Sequence, residues 1–422
     1  MRLSVLVYEY PPKIVGGLGT YTAEITRKFV LMENDVSVFT MNDDEGALPT
    51  REIWRGIEIH RPLHIDVSDS LPDVVAEDVR KWGRSGGIQF FSKILVYNYL
   101  SAAKIINELV RKEGFKYDLL VAHDWLSVIA GVTAKRELGL PLVFHVHSTE
   151  KGRTLGNGSE VVSSIEHRGG QMADLVITVS NAMKGELIEL GFPREKIQVC
   201  YNGVDPEKYS LEQVDEDKRR EIRGKYGIAD GEQMILFIGR LVLVKGVDKL
   251  IMAMPHVLQK VPNAKLVIVG LGDMESHLKN MVRGLGLEDS VKFLFEFVPE
   301  EERIAHYAAT DIAVFPSLYE PFGIVALEAM SMEKPVVVGA SGVSGMREIV
   351  IADGEGQCGF HVNPNDPVDI AWGIVSCLQN EERKQALGRN GRKRVLAEFT
   401  WQKIAEKTLR TYKDLIEEKQ KT

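Results

Sequence analysis

Glu320-Pro-Phe-Gly-Ile-Val-Ala-Leu-Glu328 places two carboxylates at the ends of a run in which every side chain between them is apolar or absent. The apolar character continues through Ala329 and Met330. Pro321 suits the first turn of a helix, where a missing N–H costs nothing. The run therefore predicts Glu320 at a helix entrance and Glu328 about two turns inside. A carboxylate in such company is costly unless something donates hydrogen bonds to it. A ligand with several hydroxyls would do so. So would backbone amides around a buried glutamate, and spacing alone does not choose between the two.

Outward from this run, short β-rich segments alternate with helical periodicity. In the first half they are Leu3–Val7, Val36–Thr40, Leu119–Ala122, Leu142–Val146, Leu175–Val179 and Ile197–Cys200, with helix-like stretches such as Thr20–Leu31 and Ser127–Glu137. A second series follows at Met234–Ile238, Leu266–Val269, Val291–Phe295, Ile312–Phe315, Val336–Val338 and Gly359–Val362. Alternation of this kind implies parallel sheets with helices on both faces. Two series imply two doubly wound α/β domains, and 422 residues fit that number, since one core rarely grows past about 250–300 residues. The border is expected in the polar stretch Asp205–Asp230, as a hinge loop and then a charged, solvated helix. That gives domains at 1–205 and 206–399, with 400–422 as a terminal charged amphipathic helix. The mixed segment Glu77–Lys112, with Trp82, Phe90, Phe91, Tyr97 and Tyr99, is expected to cap the first sheet.

A formal charge of −8 argues against a nucleic-acid protein, which carries a basic excess. Cys200, Cys358 and Cys377 lie far apart, with no C-x-x-C pair, so they frame neither disulfides nor a zinc site and fit a reducing cytoplasm. Met1–Tyr8 reads as a first strand and not a signal peptide, and no segment approaches the ~18 apolar residues of a membrane helix.

Ligands of doubly wound sheets bind beyond the carboxyl ends of strands. Lys13-Ile-Val-Gly16-Gly17-Leu18-Gly19-Thr20 follows the first run and precedes a helix. Glycines there let amides approach a phosphate, and the helix start favours an anion; a plain tight turn would use the same glycines. His123-Asp124-Trp125 follows a later run, where Asp124 suits a helix cap and His123 a core position. In Phe144-His145-Val146-His147 the alternation puts both histidines on one face. A metal would need further ligands, and no third or fourth partner stands out. Ser180-Asn181 and Asn202-Gly203 read as a cap and a turn. In the second series, Gly239-Arg240-Leu-Val-Leu-Val-Lys245-Gly246 sets two cations between a strand and a helix. Arginine offers planar paired bonds and lysine a point charge, a combination that suits a diphosphate; solvated surface cations are the plain alternative. Gly270-Leu-Gly272 and Ser341–Gly345 follow later strands.

The Glu320–Glu328 run resembles the signature of retaining GT-B glycosyltransferases, in which two glutamates separated by seven residues hold a nucleotide-sugar donor. Motifs in the family's order extend from Gly16 to Trp401. The Gly16-Gly17-Leu18 loop is similar to that of glycogen- and starch-synthase-type enzymes, and His147-Ser-Thr-Glu-Lys-Gly-Arg153 resembles α-glucan synthases of archaea and bacteria. The resemblance implies the GT-B fold, with the terminal helix packing back on the first domain. It implies a donor, UDP-glucose or ADP-glucose, bound by Gly17, Leu18, Gly239, Gly270, Phe322, Gly323, Ile324, Val325 and Glu328, with Glu328 on the ribose. Glu320, His147, Arg240 and Lys245 would carry catalysis: Glu320 at the sugar ring, His147 near the reacting carbon, the two cations on the phosphates. His123, Asp124 and Trp125 would lie on the acceptor side. An α-glucan is the first acceptor expected. A small sugar, a sugar phosphate or a lipid stays open, as do a phosphorylase or epimerase on the same fold and a non-catalytic sugar-nucleotide-binding protein. No metal or other cofactor is expected, because no Asp-x-Asp run stands where a metal would be and the paired cations take its place.

Overall fold

The computed structural model of the protein describes residues 1–14, 16–42, 48–67 and 83–421. It divides into two compact units, Met1–Tyr201 with Trp401–Thr422, and Asn202–Thr400.

The first unit is built on an eight-stranded sheet: β1 Arg2–Leu6, β2 Asp35–Phe39, β3 Arg51–Trp54, β4 Ile57–His60, β5 Leu119–His123, β6 Leu142–Val146, β7 Leu175–Thr178 and β8 Ile197–Val199. Their spatial order is β3-β4-β2-β1-β5-β6-β7-β8, parallel except for β3 against β4. The central strands are buried along their whole length, as β5 and β6 show. This is why they read as unbroken apolar runs: a parallel sheet is covered on both faces. The β3–β4 hairpin lies outside what the β-rich runs predicted. Its two-residue turn is Arg55-Gly56, both at positive φ (53° and 80°), the twist that a tight hairpin needs. Arg55 lacks the usual Asn or Asp signal, and β3 is a short edge strand with alternating exposure.

Of the segment expected to cap this sheet, residues 77–82 lie outside the described residues. The rest forms a helix, Gly83–Ala103, continued by a wider π-type turn, Lys104–Lys112. Tyr97 from this helix donates to the Phe39 carbonyl at 2.8 Å, tying it to the end of β2. The terminal helix Trp401–Lys421 lies against the helix Gly17–Leu31, with Phe29 and Tyr412 edge to face at 5.9 Å.

The second unit has a six-stranded, all-parallel sheet: β9 Gln233–Ile238, β10 Ala264–Val269, β11 Val291–Leu294, β12 Ile312–Phe315, β13 Val336–Gly339 and β14 Gly359–Val362, in the order β11-β10-β9-β12-β13-β14. The polar stretch before it holds a loop and the charged helix Glu216–Lys225, capped by Asp215, whose side chain accepts from the Lys218 N–H.

Candidate active site

In the second unit the strand order reverses between β9 and β12. Loops that leave adjacent strand ends at such a switch point diverge and open a binding crevice. Here those loops are Gly239–Gly246 after β9 and Pro316–Gly323 after β12. Lys245 Nζ donates to Glu320 Oε2 at 2.6 Å, so two of the residues singled out in the sequence meet across the reversal. Ser317 Oγ donates to the same oxygen at 3.2 Å. The Leu318 N–H reaches the Val244 carbonyl at 2.8 Å. A Cβ on Gly246 would lie 2.1 Å from the Pro316 carbonyl oxygen, and its φ is +66°, so both the space and the backbone call for glycine.

Glu320 is also held by its own backbone. Its N–H donates to Val343 O (3.0 Å), and its carbonyl accepts from the Gly345 N–H (2.8 Å). This corrects the helix expected to begin at Pro321. Residues 320–322 lie alongside the 343–345 loop, and Gly323, at φ 103°, turns the chain so that the helix starts at Ile324. Glu328 is then the fifth helical residue, little more than one turn in. Phe322 is buried and packs edge to face on Phe399 at 6.3 Å, while Ile324 and Val325, half-buried, open the first turn. Gly323 sits against Met346, whose side chain is 2.6 Å from an ideal Cβ.

Gly270 is explained by its contact with Gly239. A Cβ on Gly270 would stand 1.9 Å from the Gly239 carbonyl, so the loops after β9 and β10 touch backbone to backbone. Arg240 is exposed and makes no ion pair with any described residue, which leaves its guanidinium available.

Glu328 has protein partners of its own, and the sequence showed none of them. Tyr209 donates to Oε1 at 2.9 Å and Tyr307 to Oε2 at 3.0 Å. Arg303 Nη2 stands 3.4 Å from Oε1 and also donates to the Tyr209 hydroxyl at 2.7 Å. The negative charge of Glu328 holds the Arg303 guanidinium well above its usual range, against burial. Burial raises both tyrosines far enough that they remain neutral donors.

In the first unit the order reverses between β1 and β5. Gly17 and Leu18 form the first helical turn of Gly17–Leu31, three residues earlier than the periodicity suggested, and the Gly16 N–H donates to Glu9 Oε2 at 3.2 Å. His123 ends β5, in register with His145 on β6. His123 Nδ1 and His147 Nε2 are 3.0 Å apart, one donating to the other, and His145 Nε2 meets the Tyr412 hydroxyl at 2.7 Å. His123 is thus the third member that the His145–His147 pair lacked in the sequence, and the three offer nitrogens within 4.8 Å of one another. A metal would first have to part the His123–His147 hydrogen bond. Tyr21, 1% exposed, sets its ring against all three. Burial pushes His123 and His145 well below the ordinary range and His147 down to about 3, so all three are neutral imidazoles.

Asp124 occupies the helix N-cap position but makes no side-chain cap. Its Oδ1 accepts from the His147 N–H at 2.7 Å instead. Its backbone, at φ 55° and ψ 175°, lies in a region left almost entirely to glycine, at a cost of roughly 1–3 kcal/mol. Burial raises its carboxyl to about 6. Trp125 is buried: it is 4% exposed and packs in a cluster with Phe91, Ile94 and Val162.

Comparison with known proteins finds matches along the whole chain. Residues 218–394 match the family described as Glycosyl transferases group 1, and residues 15–208 match Glycosyltransferase Family 4. An uncharacterized glycosyltransferase of Methanocaldococcus jannaschii is 34% identical over 99% of this chain and 99% of its own. The glycogen synthase of Mycobacterium tuberculosis H37Rv is 28% identical over 98% of this chain and 94% of its own. Among solved structures, a sucrose-phosphate synthase from Thermosynechococcus elongatus superposes with a TM-score of 0.77 at 22% identity, covering 98% of each chain. With two parallel-sheet units and relatives that match along its whole length, the chain belongs to the group 1 glycosyltransferases and has the GT-B fold.

Proposed function

We propose that the protein transfers glucose from UDP-glucose or ADP-glucose to a hydroxyl acceptor, an α-glucan first, with retention of anomeric configuration. The observation that carries this reading is the meeting of Lys245 and Glu320 at the β9/β12 reversal, 2.6 Å apart, with exposed Arg240 on the same loop. As the sugar–phosphate bond breaks, negative charge grows on the leaving diphosphate. Lys245 and Arg240 supply fixed positive charge where a nucleotide-sugar enzyme needs it. In this reading Lys245 bridges the phosphates and Glu320, and Glu320 turns its remaining oxygen to the sugar hydroxyls. Glu328 takes the ribose. His147, neutral at working pH, contributes a hydrogen bond to the donated sugar and not a proton. The glucan preference rests on the His147–Arg153 run and the Gly16-Gly17-Leu18 loop, together with the kinship to a glycogen synthase.

The test is transfer of labelled glucose from UDP-glucose and ADP-glucose, each offered to maltooligosaccharides, free sugars and sugar phosphates, with and without excess EDTA. The reading expects a lengthened maltooligosaccharide with one of the two donors, and no loss with EDTA. Transfer only to a sugar phosphate would replace the glucan acceptor. Loss with EDTA, restored by magnesium or manganese, would overturn the role of the paired cations.

A further inference from the structure

We propose that Tyr209, Tyr307 and Arg303 are positioning residues for the nucleotide site, acting through Glu328; this rests on the reading that Glu328 meets the ribose. Glu328 is 4% exposed and carries one phenol on each carboxylate oxygen, at 2.9 and 3.0 Å. The donors come from separate parts of the chain. Tyr209 lies 119 residues before Glu328, in the loop that opens the second unit. Arg303 and Tyr307 lie one turn apart on the helix Glu300–Ala309, so both address the same carboxylate from one face.

The arrangement has a direction. Arg303 donates to the Tyr209 hydroxyl through Nε at 3.1 Å and Nη2 at 2.7 Å, and that hydroxyl then donates to Glu328. A hydroxyl that accepts from a cation is a stronger donor, so the chain polarises toward the carboxylate. Each phenol occupies one of the two lone-pair directions on its oxygen. One direction per oxygen remains, Arg303 Nη2 standing 3.4 Å from Oε1 without a hydrogen bond to it. Two parallel acceptors of this kind suit a vicinal diol, whose two hydroxyls each need an acceptor. Without the phenols the carboxylate is free to turn about its last torsion, and that paired presentation is lost.

A cage that served stability alone would lower the melting temperature without changing which nucleotide binds. The decisive readout is therefore discrimination between a ribonucleotide and its 2′-deoxy counterpart. UDP and ADP, each with its 2′-deoxy analogue, are titrated calorimetrically into wild type, Glu328→Gln, Tyr307→Phe, Tyr209→Phe and Arg303→Gln, below the melting temperature of each. Wild type is expected to favour the ribo form by about tenfold or more, the scale of a hydrogen bond to a charged group. Glu328→Gln should lose most of that preference. At least one tyrosine variant should lose it with the same fold, and Arg303→Gln, whose side chain is partly exposed, covers the case in which a buried tyrosine variant does not fold. If Glu328→Gln loses the preference while every folded cage variant keeps it, the positioning role is overturned and the ribose reading stands. If Glu328→Gln keeps it, the ribose reading itself falls, and the positioning role with it.

Discussion

An ion pair as short as Lys245–Glu320 has to be shared or opened before either group can serve a ligand, whereas Arg240, on the same loop, is exposed and has no ion pair among the described residues. Lys245→Ala and Arg240→Ala are each expected to cut transfer by about 10²–10³, the usual loss for one preorganised partner of a developing charge. Circular dichroism should show an intact fold, and near-wild-type rates in either variant would remove that residue from the phosphate site. Glu166 offers a test by pH. It is buried beside Arg153 (3.7 Å) and accepts from the Glu150 N–H, yet burial outweighs both and raises its carboxyl to about 8. Between the unfolded value near 4.5 and about 8 the folded chain keeps a proton that the unfolded chain has lost. The stabilisation is therefore full below pH 4.5 and is lost as pH rises through 8. Glu166→Gln should melt above wild type at pH 8 by about 2 °C or more, with the gap closing toward pH 5. An equal gap at both pH values would contradict that titration. At this scale the sequence exposed the residues but not their partners. Glu320, Glu328, Arg240, Lys245 and His147 stood out by type and place, whereas Tyr209, Arg303, Tyr307 and Tyr21 carry no local signal, because their contacts close across long stretches of chain.

Among the elements, the parallel strands were legible because burial on both faces writes continuous Val, Ile and Leu into them, as in Val336–Gly339. The β3–β4 hairpin was not, since two strands of four residues, β3 at the sheet edge, joined by an Arg-Gly turn leave no such run. The helix after Glu320 began later than its proline suggested, because the backbone of 320–322 is engaged by the loop at 343–345, a contact made only in three dimensions. Close loop approach yields a prediction of its own. Gly246→Ala combines a φ of +66° with a Cβ 2.1 Å from a backbone oxygen. It should cost about 2 kcal/mol or more, seen as a fall of roughly 4 °C or more in melting temperature. Gly284→Ala, at a helix end with nothing within 4 Å, is the control and should leave melting unchanged or slightly higher. Equal melting of the two variants would show that the β9 and β12 loops do not meet as described.

For the whole molecule, two doubly wound units and kinship with glycosyltransferases along the full chain fix the class of reaction. Among the described residues no helix is long and apolar enough to cross a membrane. The acceptor was the least legible part of the sequence, because a glucan and a small sugar both present hydroxyls and residue types alone do not separate them. The stereochemical course is open to direct measurement, and it joins the site to the class. In the proposed mechanism the cations stabilise the departing diphosphate while the acceptor attacks from the same face, which demands no enzyme nucleophile and preserves the α configuration. The measurement is proton NMR of the product formed from UDP- or ADP-glucose and a maltooligosaccharide, followed from the first turnovers. The proposed mechanism predicts a new anomeric signal with the small coupling of an α-linkage. A β-linked product, or hydrolysis of the donor with no transfer to any hydroxyl acceptor, would contradict it.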